Sequence, residues 1–249
     1  MVNTTTEPST YQIIRFYDPT LQATDSEGRT LGSILAWDDR KLEDCHNYIQ
    51  WLFPLPERSS MSYSAPIINH TTFNAFRGRP ELRDRMHDSL RRICRFYGFD
   101  FQASNDLKDF RIERFEDRKF ETRAQNWVKG FTHNHLRITR IIRSLRVLGL
   151  EAEATAFFRA VEDVYNTTGR IGARSLLYWT RAVERPLYLA PEDKEDKGDG
   201  KDFLYEFEAE KDRKNFDLKK ARVSDPVQEP GRAEEQESSP RSPNRAPTT

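Results

Sequence analysis

The sequence predicts an all-α protein, an irregular bundle of about six helices flanked by disordered N- and C-terminal tails. Three observations lead to this prediction. Apolar residues recur at intervals of three and four in several segments, which is the period of an amphipathic helix. No series of alternating apolar and polar residues indicates strands. Both ends of the chain are poor in apolar residues, a composition typical of disorder.

The first clear helical segment follows Asp38 and Asp39, which can cap a helix N-terminus, and Pro54 ends it. At about 100° per residue, its apolar side chains fall on one face. These are Leu42, Cys45, Ile49, Leu52 and Phe53. Trp51 falls among the polar residues instead. We therefore expect one helix, with Trp51 exposed or in contact with a second element.

The other elements follow from the same periodicity and from capping residues. Pro80 suits the first position of a helix and Gly98 the position after its end. Before Gly98 we predict a strand or extended arm at Tyr11–Tyr17, a short helix at Thr71–Phe76 and a helix that begins at Pro80. A further helix is predicted in 105–128, with Leu107, Phe110, Phe115 and Phe120 as its apolar anchors. The last three predicted helices run from Thr132–Asn134 to Gly149, over 151–165, and from Arg174 to Glu184.

Four arginines, Arg137, Arg140, Arg143 and Arg146, lie opposite the isoleucine and leucine stripe of the helix that ends at Gly149. Such an arc is usually the solvated side of an amphipathic helix. The alternative is a partner-binding surface built on Arg137, Arg140 and Arg143, facing a protein, a nucleic acid or an anionic lipid headgroup.

Composition divides the chain into a disordered segment (1–10), a helical domain (11–188) and a charged, largely disordered tail (189–249), in which FLYEFEAEKDRKNFDLKK predicts a short helix. Lys plus Arg and Asp plus Glu each total 40. Residues 190–249 contain 12 basic and 16 acidic side chains, so residues 1–189 have a net charge of +4. This modest charge disfavours nucleic acid as the partner.

Cysteine content and hydropathy indicate the compartment. Cys45 and Cys94 lie in helical patterns, which predicts buried free thiols in a reducing environment. No run approaches the roughly 18 apolar residues of a membrane-spanning helix, and the N-terminus lacks the apolar core of a signal peptide. We expect a nuclear or cytoplasmic protein whose only membrane contact is peripheral.

Motifs of catalysis and of metal or cofactor binding are missing from the sequence. It has no G-x-S-x-G, P-loop or G-x-G-x-x-G motif, so we expect a non-enzymatic protein without a cofactor or catalytic residues. His46, His133 and His135 do not predict a metal site, because residues i and i+2 do not share one helix face. Instead, we expect Asn134 or Thr132 to cap the helix and one of these imidazoles to form a hydrogen bond with a carbonyl or carboxylate.

Two segments resemble a known family. WDDRKLEDCHNYIQWLFP (Trp37–Pro54) and NWVKGFTHNHLRITRIIRSLRVLGL (Asn126–Leu150) are similar to the two signature blocks of the opioid growth factor receptor conserved domain. We call them the first and second signature segments. The FYGF run at Phe96–Phe99 fits the same pattern, and the resemblance covers about Ile13 to Arg185. It implies a nuclear or perinuclear receptor-like protein whose ligand in animals is an opioid pentapeptide.

A site for such a peptide needs a carboxylate for its ammonium group and aromatic walls for its tyrosine and phenylalanine rings. Candidate ligand-binding residues in the two segments are Trp37, Asp38, Asp39, His46, Tyr48, Trp51, His133 and His135. The alternative is that the aspartates cap a helix and the aromatic rings fill the core. We predict a receptor-like module that binds a peptide or protein segment; the alternative is a scaffold that docks a protein or nucleic acid through arginine-rich helix faces.

Overall fold

The fold is described from a computed structural model, which describes residues 11–58, 65–103, 110–116, 118–194 and 201–224. The sequence-predicted disorder of residues 1–10 and of the tail beyond residue 224 lies outside these ranges. The elements within them are α1 (Gln12–Tyr17), α2 (Leu31–Leu35), α3 (Asp39–Asp44), α4 (Ile49–Leu52), α5 (His70–Gly78), α6 (Pro80–Tyr97), β1 (Phe99–Ala103), β2 (Phe110–Arg114), α7 (Arg118–Ala124), α8 (His133–Val147), α9 (Glu151–Thr168), α10 (Ala173–Glu184) and α11 (Asp202–Ser224).

The helical character is confirmed, but the prediction of an all-α bundle of about six helices is wrong in two respects. The described residues form eleven helices, several of them only one or two turns long. They also form a two-stranded antiparallel sheet, in which Phe99 pairs with Arg114 and Ala103 with Phe110. Short helices were missed because one or two turns carry too few residues to show a period.

The sheet replaces part of the helix predicted over 105–128, of which only α7 is helical among the described residues. Residues 104–109, including Leu107, lie outside the described residues. The alternation of apolar and polar residues that would indicate a strand here is short. Phe99 and Phe101 are buried, whereas Gln102 between Phe101 and the strand end is exposed. Gly98, at φ 94°, ends α6 in the left-handed region and turns the chain into β1.

The first signature segment is not one helix. Asp38 caps α3 as predicted, because its Oδ1 accepts the Lys41 amide hydrogen at 2.7 Å. Cys45 is extended (φ −90°, ψ 131°), so α3 ends there and α4 begins only at Ile49. Because of this break, the residues after Cys45 point in other directions than they would in one continuous helix. Trp51 is consequently buried in the core, and Cys45 is only half-buried.

Most other helix boundaries are close to those predicted from caps and periodicity. The helices α5, α6, α8, α9 and α10 begin and end within a few residues of their predicted positions. The extended arm predicted at Tyr11–Tyr17 is wrong, because Gln12–Tyr17 is helical. Ile13, Phe16 and Tyr17, at helical spacing, are all buried there.

The core is organised around α8, which packs against both α9 and α10. Ile138, Ile141, Ile142 and Leu145 are fully buried. The opposite side of α8 is also largely covered, since most residues of this helix, arginines included, are buried. The second signature segment therefore supplies a central helix of the domain and not a surface helix.

The predicted helix in the charged tail corresponds to α11. Its first turns pack on the domain, where Leu204 is buried and the Phe207 ring lies 5.1 Å from that of Phe73. The first compact unit of the chain ends at Ala209, and the second begins at Glu210. Among the described residues, every helix falls short of the length or the apolar character that crossing a bilayer requires.

Candidate ligand groove between the signature segments

Arg137 joins the two signature segments. Its Nη1 donates to the Leu42 carbonyl at 3.0 Å, and its Nη2 donates to the Cys45 carbonyl at 2.8 Å. These carbonyls belong to the last turn and the end of α3, where a helix has no backbone donors left for its own acceptors. Nearby, the Asn134 side-chain amide donates to the Glu43 carboxylate at 3.0 Å. The C-terminus of α3 is therefore held by side chains of α8.

Two further arginines of α8 make similar contacts. Arg143 donates to the Glu57 carboxylate at 2.5 Å and to the Leu187 carbonyl at 2.9 Å. Arg146 donates to the carbonyls of Ala182 at 3.0 Å and Arg185 at 2.7 Å. These two carbonyls belong to the last turn of α10 and to the residue that follows it. We call Arg137, Arg143 and Arg146 the arginine seam. Each of them satisfies backbone acceptors that packing has removed from water.

The predicted solvated arginine arc is therefore wrong for the members of the seam, whereas the predicted partner-binding role of Arg137 and Arg143 stays a prediction. Arg137, Arg143 and Arg146 are buried, with Arg143 only 1% exposed. A guanidinium has five N–H donors in a planar fork, so it can enter an interior that is rich in free carbonyls. Arg140 is different, because it is half-buried and faces a groove.

The groove has a volume of about 590 Å³ and lies where the two signature segments meet. Its apolar lining comes from both segments and from the chain that follows α10. The apolar lining residues are Ile49, Leu55, Leu136, Ala190 and Pro191. Leu136 is 57% exposed, although most residues of its helix are buried. The volume is within the roughly 300–1,000 Å³ range of small-ligand sites.

Two polar groups on the groove wall lack the partners that burial normally demands. Gln50 is only 5% exposed, yet its Oε1 accepts no hydrogen bond from the described residues. Arg140 donates from Nη1 to the Phe53 carbonyl at 3.1 Å but has no carboxylate of the described residues within ion-pair distance. Burial lowers the pKa of Arg140 to about 10, and the charges of Glu57 and Glu192 only partly oppose that effect.

Two imidazoles lie at the rim of the groove. The rings of His46 and His133 are 5.2 Å apart and nearly perpendicular. Arg137 donates to His46 Nδ1 at 3.1 Å, so the ring hydrogen of neutral His46 is on Nε2. Desolvation first, and the Arg137 charge second, lower the pKa of His133. No cluster of three metal-ligating side chains occurs among the residues that the structure describes.

His135, the third predicted ligand-binding histidine, is not at the groove. Its ring is buried, with Nε2 2.7 Å from the Trp127 carbonyl and Nδ1 2.8 Å from the Ser175 hydroxyl. A carbonyl only accepts, so Nε2 carries the hydrogen and Nδ1 accepts from Ser175. Desolvation lowers the pKa of His135. Both ring nitrogens are thus used within the core, and His135 cannot contact a ligand without local unfolding.

The aromatic residues of the first signature segment do not line the groove. Trp51 and Tyr48 belong to the core, and the Trp51 ring lies 5.4 Å from that of Phe16. Trp37 packs edge-on against Tyr48, while the Lys41 ammonium lies 4.5 Å from its ring centroid. The predicted aromatic walls for a peptide therefore do not line the groove.

The two predicted aspartates have structural partners. Asp38 caps α3, as described above. Asp39 pairs with Arg92 at 2.9 Å and with Arg123 at 3.2 Å, which ties α3 to α6 and α7. Of the eight predicted ligand-binding residues only His46 and His133 line the groove, whereas all three of Arg137, Arg140 and Arg143 do.

Sequence reasoning missed several lining residues. These are Ile49, Gln50, Leu55, Glu57, Arg58, Leu136, Thr139 and residues 190–193. Of these residues, only Leu136 could have been identified from the sequence. It is a leucine beside the isoleucine stripe of its helix, which indicates an apolar contact outside the core. The segment after α10 has no pattern that indicates its return to α8.

Comparison with known proteins identifies the family. The model of the "Opioid growth factor receptor (OGFr) conserved region" matches residues 6–187. The chain is 35% identical over 152 residues to the opioid growth factor receptor of Mus musculus, which covers 59% of this chain and 23% of that protein. It is 38% identical over 125 residues to the receptor of Homo sapiens, covering 46% of this chain and 16% of that protein.

A second group of relatives is also similar. The opioid growth factor receptor-like protein 1 of Mus musculus is 31% identical over 155 residues, covering 59% of this chain and 30% of that protein. The chain thus spans less than a third of the length of these relatives. No solved structure matches it. Because the family model matches well over half of its residues, the chain belongs to the opioid growth factor receptor conserved-region family.

Proposed function

We propose that the chain is a non-enzymatic, receptor-like module that binds a short peptide, or a segment of a partner protein, in the groove between the signature segments. The observation that carries this proposal is the groove itself, which both signature segments line. One of its lining residues, Gln50, has a buried Oε1 without a donor among the described residues. A buried acceptor without a donor costs about 1–3 kcal/mol, and a peptide N–H supplies the missing donor.

The form of the groove favours a peptide over a nucleic acid. The arginine seam is occupied with carbonyls and Glu57, so it has few donors to offer a phosphate backbone. The apolar lining instead suits aliphatic or aromatic side chains. Similarity to the opioid growth factor receptors makes an opioid pentapeptide the first peptide to test.

A titration of the whole chain with a panel of synthetic pentapeptides, including an opioid pentapeptide, tests the proposal by calorimetry. Two leucines provide matched variants, because Leu136 is 57% exposed at the groove and Leu177 is 48% exposed on α10 outside it. Leu136→Asp should weaken binding at least about tenfold, since it places a charge against the apolar wall.

Leu177→Asp should leave the affinity unchanged. Binding that both variants reduce equally, or that neither variant changes, would place the peptide elsewhere on the protein. A panel in which no peptide releases heat at millimolar concentration would contradict the proposed function.

A further inference from the structure

Arg140 is the exception among three arginines that follow each other at helical spacing along α8. Arg137 and Arg143, three residues to either side, make several hydrogen bonds each with carbonyls, His46 or Glu57. Arg140 makes one, to the Phe53 carbonyl. Four of its five N–H donors therefore have no partner among the described residues.

The surroundings of Arg140 make this unusual. The residue is half-buried, and burial lowers the pKa of its guanidinium. The carboxylate of Glu57 is nearby, but both of its oxygens already accept from Arg143. A partly desolvated cation without a counter-ion is unfavourable for the isolated protein. An anion that enters the groove would supply the counter-ion.

The other groups of the groove restrict what that anion can belong to. Leu136, Leu55 and Pro191 exclude a strongly hydrated, multiply charged group from most of the surface. Gln50, which also lines the groove, has a buried side-chain oxygen with no donor among the described residues, and an N–H of the same ligand would supply one. The lining contains four arginines and three carboxylates, which leaves an excess of one positive charge and suits a ligand with a single negative charge. A ligand that carries one carboxylate, a nearby amide N–H and apolar side chains has the chemistry of a peptide.

We infer that the groove recognises one carboxylate of an otherwise apolar peptide, with Arg140 as the anion-binding residue and Gln50 as the acceptor for a peptide N–H. This inference rests on the proposed function and adds the chemical class of the ligand. A carboxylate matches the planar fork of a guanidinium, and the charge-assisted pair is strengthened by the partial exclusion of water. The carboxylate can be the peptide C-terminus or the side chain of one Asp or Glu.

Three forms of each pentapeptide in the panel distinguish these sources on the whole, unaltered chain. The first form has an apolar sequence and a free C-terminal carboxylate, the second is its carboxamide, and the third is a carboxamide with one internal Glu. The free acid should bind at least about tenfold more tightly than its carboxamide if the C-terminus is recognised. The Glu-containing carboxamide should regain that affinity if a side chain is recognised.

The variant Arg140→Met tests whether Arg140 is the residue that binds the carboxylate. In this variant the difference between acid and carboxamide should disappear, while the weaker binding of the carboxamide persists. Arg91→Met removes the same charge from an exposed site on α6 and should preserve the full difference.

The outcomes separate the two proposals. Equal binding of all three peptide forms by the wild-type chain leaves the proposed function standing and overturns the carboxylate inference. A preference for carboxylates that persists in Arg140→Met overturns the role of Arg140. No binding of any form overturns both the proposed function and this inference.

Discussion

Arg143 and Arg140 lie three residues apart on α8, yet Arg143 is in the interior and Arg140 is at the groove. Arg143 is 1% exposed and is held by Glu57 and the Leu187 carbonyl, so it belongs to the arginine seam that joins helix ends. Among the described residues Arg140 has one carbonyl partner and no carboxylate partner, and it faces a groove. The comparison teaches that arginines at helical spacing on one helix can divide between those that join helix ends and one that is left with a single partner at a groove.

The largest effect is expected at Arg143. Arg143→Met leaves Glu57 without its partner and the Leu187 carbonyl without a donor, which should lower the free energy of unfolding by about 3 kcal/mol. Chemical denaturation measures this change. The matched control is Arg91→Met, whose exposed pair with Asp88 should contribute less than about 1 kcal/mol. Equal effects of the two variants would show that the seam does not stabilise the fold.

A smaller effect is expected where α8 holds the end of the first signature segment. The buried Ser144 hydroxyl donates to the Pro54 carbonyl at 2.7 Å. Ser144→Ala should therefore lower the free energy of unfolding by about 1–2 kcal/mol, because the carbonyl stays buried without a donor. Ser33→Ala, which removes an exposed hydroxyl from α2, is the control and should change little. A stability loss in the control that matches the loss in Ser144→Ala would exclude this role for Ser144.

The pH dependence of stability should report on His135, which belongs to the core side of α8. Burial lowers its pKa below the ordinary 6.5, so the unfolded chain binds a proton more readily than the folded chain. Its contribution is thus complete above pH 6.5 and is lost as the pH falls toward the folded-state pKa. Thermal denaturation at stepped pH should show this decline in the wild-type chain.

The variant His135→Gln isolates that contribution. It should be less stable at neutral pH, since Gln reproduces the two hydrogen bonds of the ring imperfectly, but its stability should fall less steeply below pH 6.5. An unchanged slope would assign the acid sensitivity to other groups, of which His133 is one with a lowered pKa.

The smallest change in stability is expected at the groove. Gln50→Met keeps the side-chain volume and removes the unpartnered Oε1, so the free energy of unfolding should rise by up to about 1 kcal/mol. Peptide binding should weaken in the same variant. A variant that is both less stable and fully able to bind would show that Gln50 serves the core and not the ligand.

The sequence predicted the helices that carry clear caps. The boundaries of α6 follow from Pro80 and Gly98, and the N-cap of α3 follows from Asp38. It could not predict the break at Cys45, because no glycine or proline marks that extended residue. The position of Trp51 depends on this break, so the sequence could not place its ring in the core. The predicted ligand-binding role of Trp37 stays a prediction.

The candidate site was predicted only through its arginines and two histidines. Their meeting in space depends on long-range contacts, such as the bonds of Arg137 to Leu42 and Cys45 across more than ninety residues of chain. Periodicity describes one helix at a time and places its charged side toward solvent. It does not reveal that carbonyls of other helix ends lie opposite that side, so it predicts a solvated surface where the structure has the arginine seam.

The most direct test of the division between Arg140 and the arginine seam is the free energy of unfolding of Arg140→Met, measured beside Arg143→Met. We predict that Arg140→Met stays within about 1 kcal/mol of the wild-type chain or exceeds it, because the loss of one carbonyl contact is offset by removal of a desolvated charge. A loss in Arg140→Met as large as that in Arg143→Met would contradict the account, since Arg140 would then hold the fold as the seam does.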